Sequence, residues 1–234
     1  MRQIFLDTET TGLSAEAGDR IIEIGCVEMV GRRLTGDDRH YYLNPQRASH
    51  PDALKVHGLS DEFLADKPLF AAVVDDLLGY LDGAELVIHN AAFDIGFLDK
   101  ELERCGRPRV ASRVAQITDS LLMAREMFPG KSNSLDALCK RMEVDNSSRT
   151  LHGALLDAGL LAEVYICMTR GQGSLVIDEA QTRDAGGAVE MIDLSAFELP
   201  LLLPSAEELA AHRAVLADIG QVCRGKLLWQ ADLA

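Results

Sequence analysis

The chain has 234 residues, 47% of them hydrophobic, with a mean hydropathy of +0.03. It is long enough to bury one substantial core plus an appendage, and it reads as soluble and globular rather than disordered. A formal net charge of −14 and five cysteines, at 26, 105, 139, 167 and 223 without any C-x-x-C spacing, argue against stable occupancy of duplex nucleic acid, a disulfide frame and a cysteine zinc site. No apolar span of 18 residues occurs and no signal-peptide core follows Arg2, so the expected location is cytoplasmic and away from membrane.

In chain order, Gln3-Ile4-Phe5-Leu6 reads as a buried strand running into Asp7-Thr8-Glu9. Residues i and i+2 of a strand share a face, so Asp7 and Glu9 aim together. Gly12 and the threonines Thr8, Thr10 and Thr11 are expected to break this strand, leaving the pair at its carboxyl end, where open α/β sheets present ligands. Taken alone, the pair fits a solvated acidic strand end equally well. Further strands are predicted at 21–30 and 39–43, with a hairpin turn from Gly31 to Gly36, followed by a helix at 70–82.

A strand at 85–88 leads into His89-Asn90-Ala91-Ala92-Phe93-Asp94, after which Phe93, Phe97, Leu98 and Leu102 recur at helical spacing and predict a helix over 92–105. Asp94 falls in its first turn, where the helix dipole stabilises a carboxylate by about 0.3–1 kcal/mol, an ordinary structural reason for an acid. That reason does not extend to His89 and Asn90, two polar side chains at the same sheet edge. Helices are predicted at 119–128, 134–142 and 153–169, the last opened by His152-Gly153-Ala154-Leu155-Leu156-Asp157. His152 and Asp157 lie about 140° apart on an ideal helix, so both reach one cavity only if His152 stays on the preceding loop, which Gly153 permits. A capping or packing role for His152 is the alternative.

Asp7, Glu9, Asp94 and Asp157 together make four carboxylates that would repel one another in one partly buried site unless cations neutralised them. Oxygen-only ligands favour Mg²⁺ or Mn²⁺, and two such ions suit in-line displacement at phosphorus. His152 is then free to act as general base, its ordinary pKa of about 6.5 suiting proton removal near neutrality.

Asp7-x-Glu9, Asn90-x-x-Phe93-Asp94 and His152-x-x-x-x-Asp157 resemble the three motifs of the DEDDh family, 3′-to-5′ exonucleases with a ribonuclease H-like fold. The likeness covers residues 1–170. Val56-His57-Gly58-Leu59, Asn133-Ser134-Leu135-Asp136-Ala137-Leu138 and the 151–158 block bring it closest to members of the family that proofread for bacterial replicative polymerases. The resemblance implies an α/β fold with a mixed five-stranded sheet flanked by helices, which the predicted short β pairing followed by strand-helix alternation also suggests. It further implies that Asp7 bridges two metals, that Glu9 and Asp157 hold one, that Asp94 reaches the other through water, and that His152 deprotonates the nucleophile. Substrate contacts would come from Asp7, Thr8, Glu9, Asn90, Phe93, His57 and Asp157, with Asp52 near the terminal 3′-hydroxyl. On the residues alone, Phe93 could be mostly core and His57 merely a turn residue.

Residues 171–190 read as a flexible linker rich in charge and glycine. Within it Gln172-x-Ser174-Leu175-x-Ile177 resembles a sliding-clamp-binding peptide, with Ile177 where an aromatic is more usual; a chance apolar spot is the alternative. The segment 191–234 contains Ser205-Ala206-Glu207-Glu208, an N-cap with a capping-box acid opening a small helical segment. It is too small for a secure core of its own, so it is expected to order against a partner. The resemblance makes that partner the alpha subunit of a DNA polymerase III and adds a small theta-like subunit; packing back onto the 1–170 domain competes with it. The expected activity is removal of mispaired nucleotides from a frayed DNA 3′ end, releasing deoxynucleoside 5′-monophosphates. An RNA-trimming nuclease of the same family and a structural polymerase subunit with a vestigial site are the alternatives.

Overall fold

The computed structural model describes residues 2–147, 149, 151–170 and 204–222. The chain divides into two units, 1–177 and 178–234. In the first, β1 (Arg2–Thr10), β2 (Ile21–Val30), β3 (Arg33–Leu34), β4 (Arg39–Tyr42), β5 (Glu85–Ile88) and β6 (Gln116–Asp119) form one mixed sheet of order β3-β2-β1-β5-β6, with β4 also on β2. β3 pairs with Met29 and Val30 while β4 pairs with Glu23 to Cys26, so two short strands share one edge and the sheet is five strands wide. β1 is antiparallel to β2 and parallel to β5, and β5 is parallel to β6.

Strand periodicity sorts the core into two layers. Ile4 and Leu6 of β1, with Ile24, Cys26, Leu86 and Ile88, face α3 (Phe70–Leu81) and α4 (Ala91–Arg104). Phe5, Val27, Met29 and Val87 face the other way, onto α5 (Ser120–Met127), α6 (Leu135–Met142) and α7 (Ala154–Met168). Helix α7 buries side chains around most of its circumference, since it packs on the sheet and against α6.

Several sequence expectations shift. The first strand runs from Arg2 to Thr10 and carries Asp7 and Glu9 near its carboxyl end as expected, paired with Gly25 and Glu23 of β2, although the threonines Thr8 and Thr10 belong to it rather than break it. The predicted turn from Gly31 to Gly36 is split by β3, with Gly31 and Arg32 at positive φ forming the tight turn that a two-residue hairpin requires. Strand β6 was not anticipated: Gln-Ile-Thr-Asp carries one aliphatic residue, as suits an edge strand, and the helix predicted from 119 begins one residue later. Helices α1 (Pro51–His57) and α2 (Asp61–Leu64) were also missed. His57 closes α1, and Gly58 at φ 71° terminates it.

In the second unit, α8 (Ala206–Val222) opens with the predicted capping box. The Ser205 hydroxyl accepts from the Glu208 amide at 3.2 Å, and the Glu208 carboxylate accepts from the Ser205 amide at 2.8 Å. The linker 171–190 and its Gln172, Ser174, Leu175 and Ile177 lie outside the described residues. No helix among the described residues is long and apolar enough to cross a membrane, and the four described cysteines are free thiols.

Candidate active site

The acids converge where β1 outruns β5. The last β1–β5 pair is Phe5 with Val87, so from Leu6 onward β1 has a sheet neighbour only on the β2 side and a crevice opens at the carboxyl ends of the two parallel strands. Asp7 and Glu9 share the face that carries Phe5, the face covered by α7. A register shift between Glu9 and Thr10 leaves Ile22 as an extra residue on β2 and turns the strand just beyond the pair. From the opposite face Thr8 donates its hydroxyl to Asp94 Oδ1 at 2.7 Å, fixing the carboxylate carried by the first turn of α4.

Asn90, in the left-handed conformation at φ 70°, makes the sharp turn from β5 into α4. Asp119 secures that turn. Its carboxylate accepts from the amides of Asn90 at 3.2 Å and Ala91 at 3.1 Å, and also from Leu121 at 2.8 Å, so one side chain ties together the starts of α4 and α5.

Helix α7 reaches the site because Gly25 lacks a side chain. A Cβ on Gly25 would lie 2.2 Å from the Leu155 amide nitrogen and 2.3 Å from the Ala154 carbonyl carbon. The first turn of α7 therefore rests directly on β2 beside Asp7, which brings Asp157 into the crevice. His152 stays on the loop before the helix, as Gly153 permits, and its amide donates to the Val56 carbonyl of α1 at 3.1 Å. Gly58 leaves room for this loop, since a Cβ there would meet Leu151 Cδ1 at 2.5 Å.

Asp7, Thr8, Glu9, His89, Asn90, Phe93, Asp94, His152 and Asp157 line one open cavity of about 820 Å³. Glu9, His152 and Asp157 each bring a ligand atom within 4.8 Å of the other two. Burial, with Asp94, Glu9 and Asp157 close by, holds the Asp7 carboxyl well above the usual carboxylate range. Burial chiefly, then Glu23 and Asp157, pushes Glu9 up to about 8. Burial raises Asp94 to about 7 against the opposing hydrogen bond from Thr8. An acid cluster that holds protons near neutrality lacks positive charge, and its donors are carboxylate oxygens with one imidazole nitrogen beside them, so the residues present fit divalent cations.

Part of the missing charge comes from a residue that the sequence reading passed over. Arg149 Nε and Nη2 each donate at 2.6 Å to Asp157 Oδ1 and Oδ2, Nη1 donates to Asp136 Oδ1 at 2.6 Å, and Nη2 lies 2.8 Å from His152 Nδ1. Charge balance was the available signal: Arg149 is the basic residue three positions before His152. Arg125 and Lys131, which also line the cavity, were likewise missed.

The other predicted substrate residues divide. Phe93 does both jobs considered for it, packing on Phe97 at a ring separation of 4.9 Å while lining the cavity. His57 is 4% exposed, accepts from the Leu59 amide through Nδ1 at 3.0 Å, and has no partner for Nε2 among the described residues. It sits at a helix end rather than in a turn, and it does not line the cavity. Asp52 stands apart, exposed on α1 in an ion pair with Lys55 at 2.7 Å, beside a second groove lined by Leu13, Ser49 and His50.

A family model described as Exonuclease matches residues 4–165. DNA polymerase III subunit epsilon of Salmonella typhimurium is 53% identical over 239 aligned residues, covering 98% of each chain. Among solved structures, Exonuclease X in complex with 5′-overhanging duplex DNA superposes with a TM-score of 0.55 at 25% identity, covering 74% of this chain and 94% of that one. The nuclease domain of 3′hExo, a DEDDh family member bound to rAMP, has the same fold with a TM-score of 0.61 at 17% identity, covering 71% and 90%.

Proposed function

Because the chain belongs to the exonuclease family, in company with proteins named DNA polymerase III subunit epsilon, we propose that it is a metal-dependent 3′-to-5′ DNA exonuclease that proofreads for a replicative polymerase. The observation carrying this reading is that carboxylates from three separate segments, Asp7 and Glu9, Asp94, and Asp157, meet on one cavity wall beside the exposed imidazole of His152. Those four acids would hold two divalent cations, Mg²⁺ or Mn²⁺. When bound, such a pair polarises a phosphodiester and acidifies the attacking water.

This chain's residues supply the rest. His152 accepts the proton of the water whose oxygen forms the new bond to phosphorus, while the bond from phosphorus to the penultimate 3′-oxygen breaks, that oxygen takes a proton from solvent to become the new 3′-hydroxyl, and a deoxynucleoside 5′-monophosphate leaves. Phe93 offers a ring edge to the terminal base, and Asn90 and the main chain at Thr8 offer polar contacts to the terminal nucleotide. Arg125 and Lys131 are exposed cavity-lining cations without an ion pair among the described residues, and they would meet backbone phosphates of the bound strand. None of these contacts reads a base edge, so selectivity comes from fraying: a mispaired end unpairs more readily and enters the cavity more often.

The 191–234 segment is proposed to bind the polymerase alpha subunit, and the 171–190 segment to reach a sliding clamp. With a net charge of −14 the nuclease alone grips DNA weakly, and tethering raises its effective concentration at the primer end. The test is digestion of matched and 3′-mismatched primers and of the equivalent RNA in Mg²⁺. Faster loss of the mismatched DNA end, abolished by Asp7→Ala, is expected; faster loss of RNA overturns the substrate assignment.

A further inference from the structure

We infer that Arg149 is a built-in counter-cation that holds Asp157 and His152 in the metal-free protein and must withdraw when divalent cations load. The inference rests on the proposed metal site and concerns a residue outside its ligand set. Its geometry is that of a filled site rather than a surface ion pair. The guanidinium fork engages both oxygens of Asp157 at 2.6 Å, with the side chains of Arg149 and Asp157 only 7% and 4% exposed. A divalent cation drawn to the same two oxygens would face this positive charge at contact distance, so the guanidinium and the cation compete for Asp157.

The imidazole is engaged by the same group. Arg149 Nη2 donates to His152 Nδ1 at 2.8 Å, so that ring nitrogen is occupied as long as the guanidinium stays. Withdrawal of the guanidinium therefore frees both a carboxylate for metal and a ring nitrogen for proton transfer. A resting place exists, because Nη1 also donates at 2.6 Å to Asp136 Oδ1, whose side chain is 57% exposed in the first turn of α6. On leaving Asp157 the arginine would keep that partner. Arg149 is thus a positioning residue that couples metal entry to release of the base.

The test uses the full chain and free Mn²⁺, with binding followed by the Mn²⁺ paramagnetic resonance signal and folding by melting temperature in chelator. Arg149→Ala is expected to bind Mn²⁺ at least tenfold more tightly than wild type, to melt lower without metal, and to gain more in melting temperature when Mn²⁺ is added. Arg149→Lys, a point charge without the fork, should fall between the two. Arg149→Gln, which keeps hydrogen bonding without charge, replaces the alanine variant if that one does not fold. Unchanged or weaker Mn²⁺ binding by a folded Arg149→Ala or Arg149→Gln protein, while wild type binds normally, overturns this inference alone. Absence of Mn²⁺ binding by wild type and variants alike overturns the metal site and the inference with it.

Discussion

Glu9 titrating at about 8 and Asp94 at about 7, with Asp7 also held high, make the site a source of strain that metal relieves. A carboxyl whose folded pKa lies above its unfolded value binds more protons when folded, so stability falls as pH climbs from the unfolded towards the folded value. The metal-free protein is therefore expected to lose stability between about pH 4 and pH 8, by up to about 1.4 kcal/mol per pH unit for each proton involved. Saturating Mg²⁺ should flatten that slope. Melting curves across this range in chelator and in Mg²⁺ check it, and a metal-free melting temperature that rises towards pH 8 contradicts it. By the same logic Asp7→Asn, which removes a buried ionisable group while keeping its shape, is expected to abolish hydrolysis yet leave the metal-free protein at least as stable as wild type. His152→Ala should lower kcat by about 10²–10⁴-fold with Mn²⁺ binding retained, which separates the proton acceptor from the metal ligands in one titration and one rate.

At the level of elements, the site depends on how closely α7 approaches β2. Gly25→Ala puts a methyl group into the backbone of Ala154 and Leu155, where a small-to-large change typically costs about 1–3 kcal/mol. Urea unfolding should register that loss, and activity should fall further than stability alone predicts because Asp157 moves away from Asp7. Wild-type activity in a folded Gly25→Ala protein would show that this approach does not position Asp157. Much of this arrangement was legible in the sequence, since each acid sits beside a pattern with a clear period: Asp7 and Glu9 after an apolar run, Asp94 and Asp157 in first helical turns. The capping box of α8 was legible for a similar reason, its signal being four adjacent residues. Strand β6 was not, because a four-residue edge strand with Ile117 as its aliphatic residue has no alternation to read. Nor was α1, a seven-residue helix with most of its surface exposed, although Pro51 and Gly58 punctuate its ends. Arg149 and Asp119 escaped for a different reason: the partners that give them their roles, Asp157 and Asp136 for the first and Asn90 and Ala91 for the second, are 8 to 29 residues away in sequence, and local periodicity carries no information about such pairings.

For the whole molecule, an acidic chain with a two-unit division is expected to work as a tethered enzyme. A chain ending at Arg170 should digest 3′-mismatched primers at close to the full-length rate but fail to co-purify with the polymerase alpha subunit. Retained co-purification would move the polymerase contact onto the nuclease unit. The catalytic expectations depend on metal binding by the four carboxylates, and the most direct measurement is anomalous scattering from crystals of the full chain grown with Mn²⁺. The account predicts anomalous peaks flanked by Asp7, Glu9, Asp94 and Asp157, absent in Asp7→Asn crystals. Crystals of the wild-type chain in Mn²⁺ with no peak among those oxygens would contradict it.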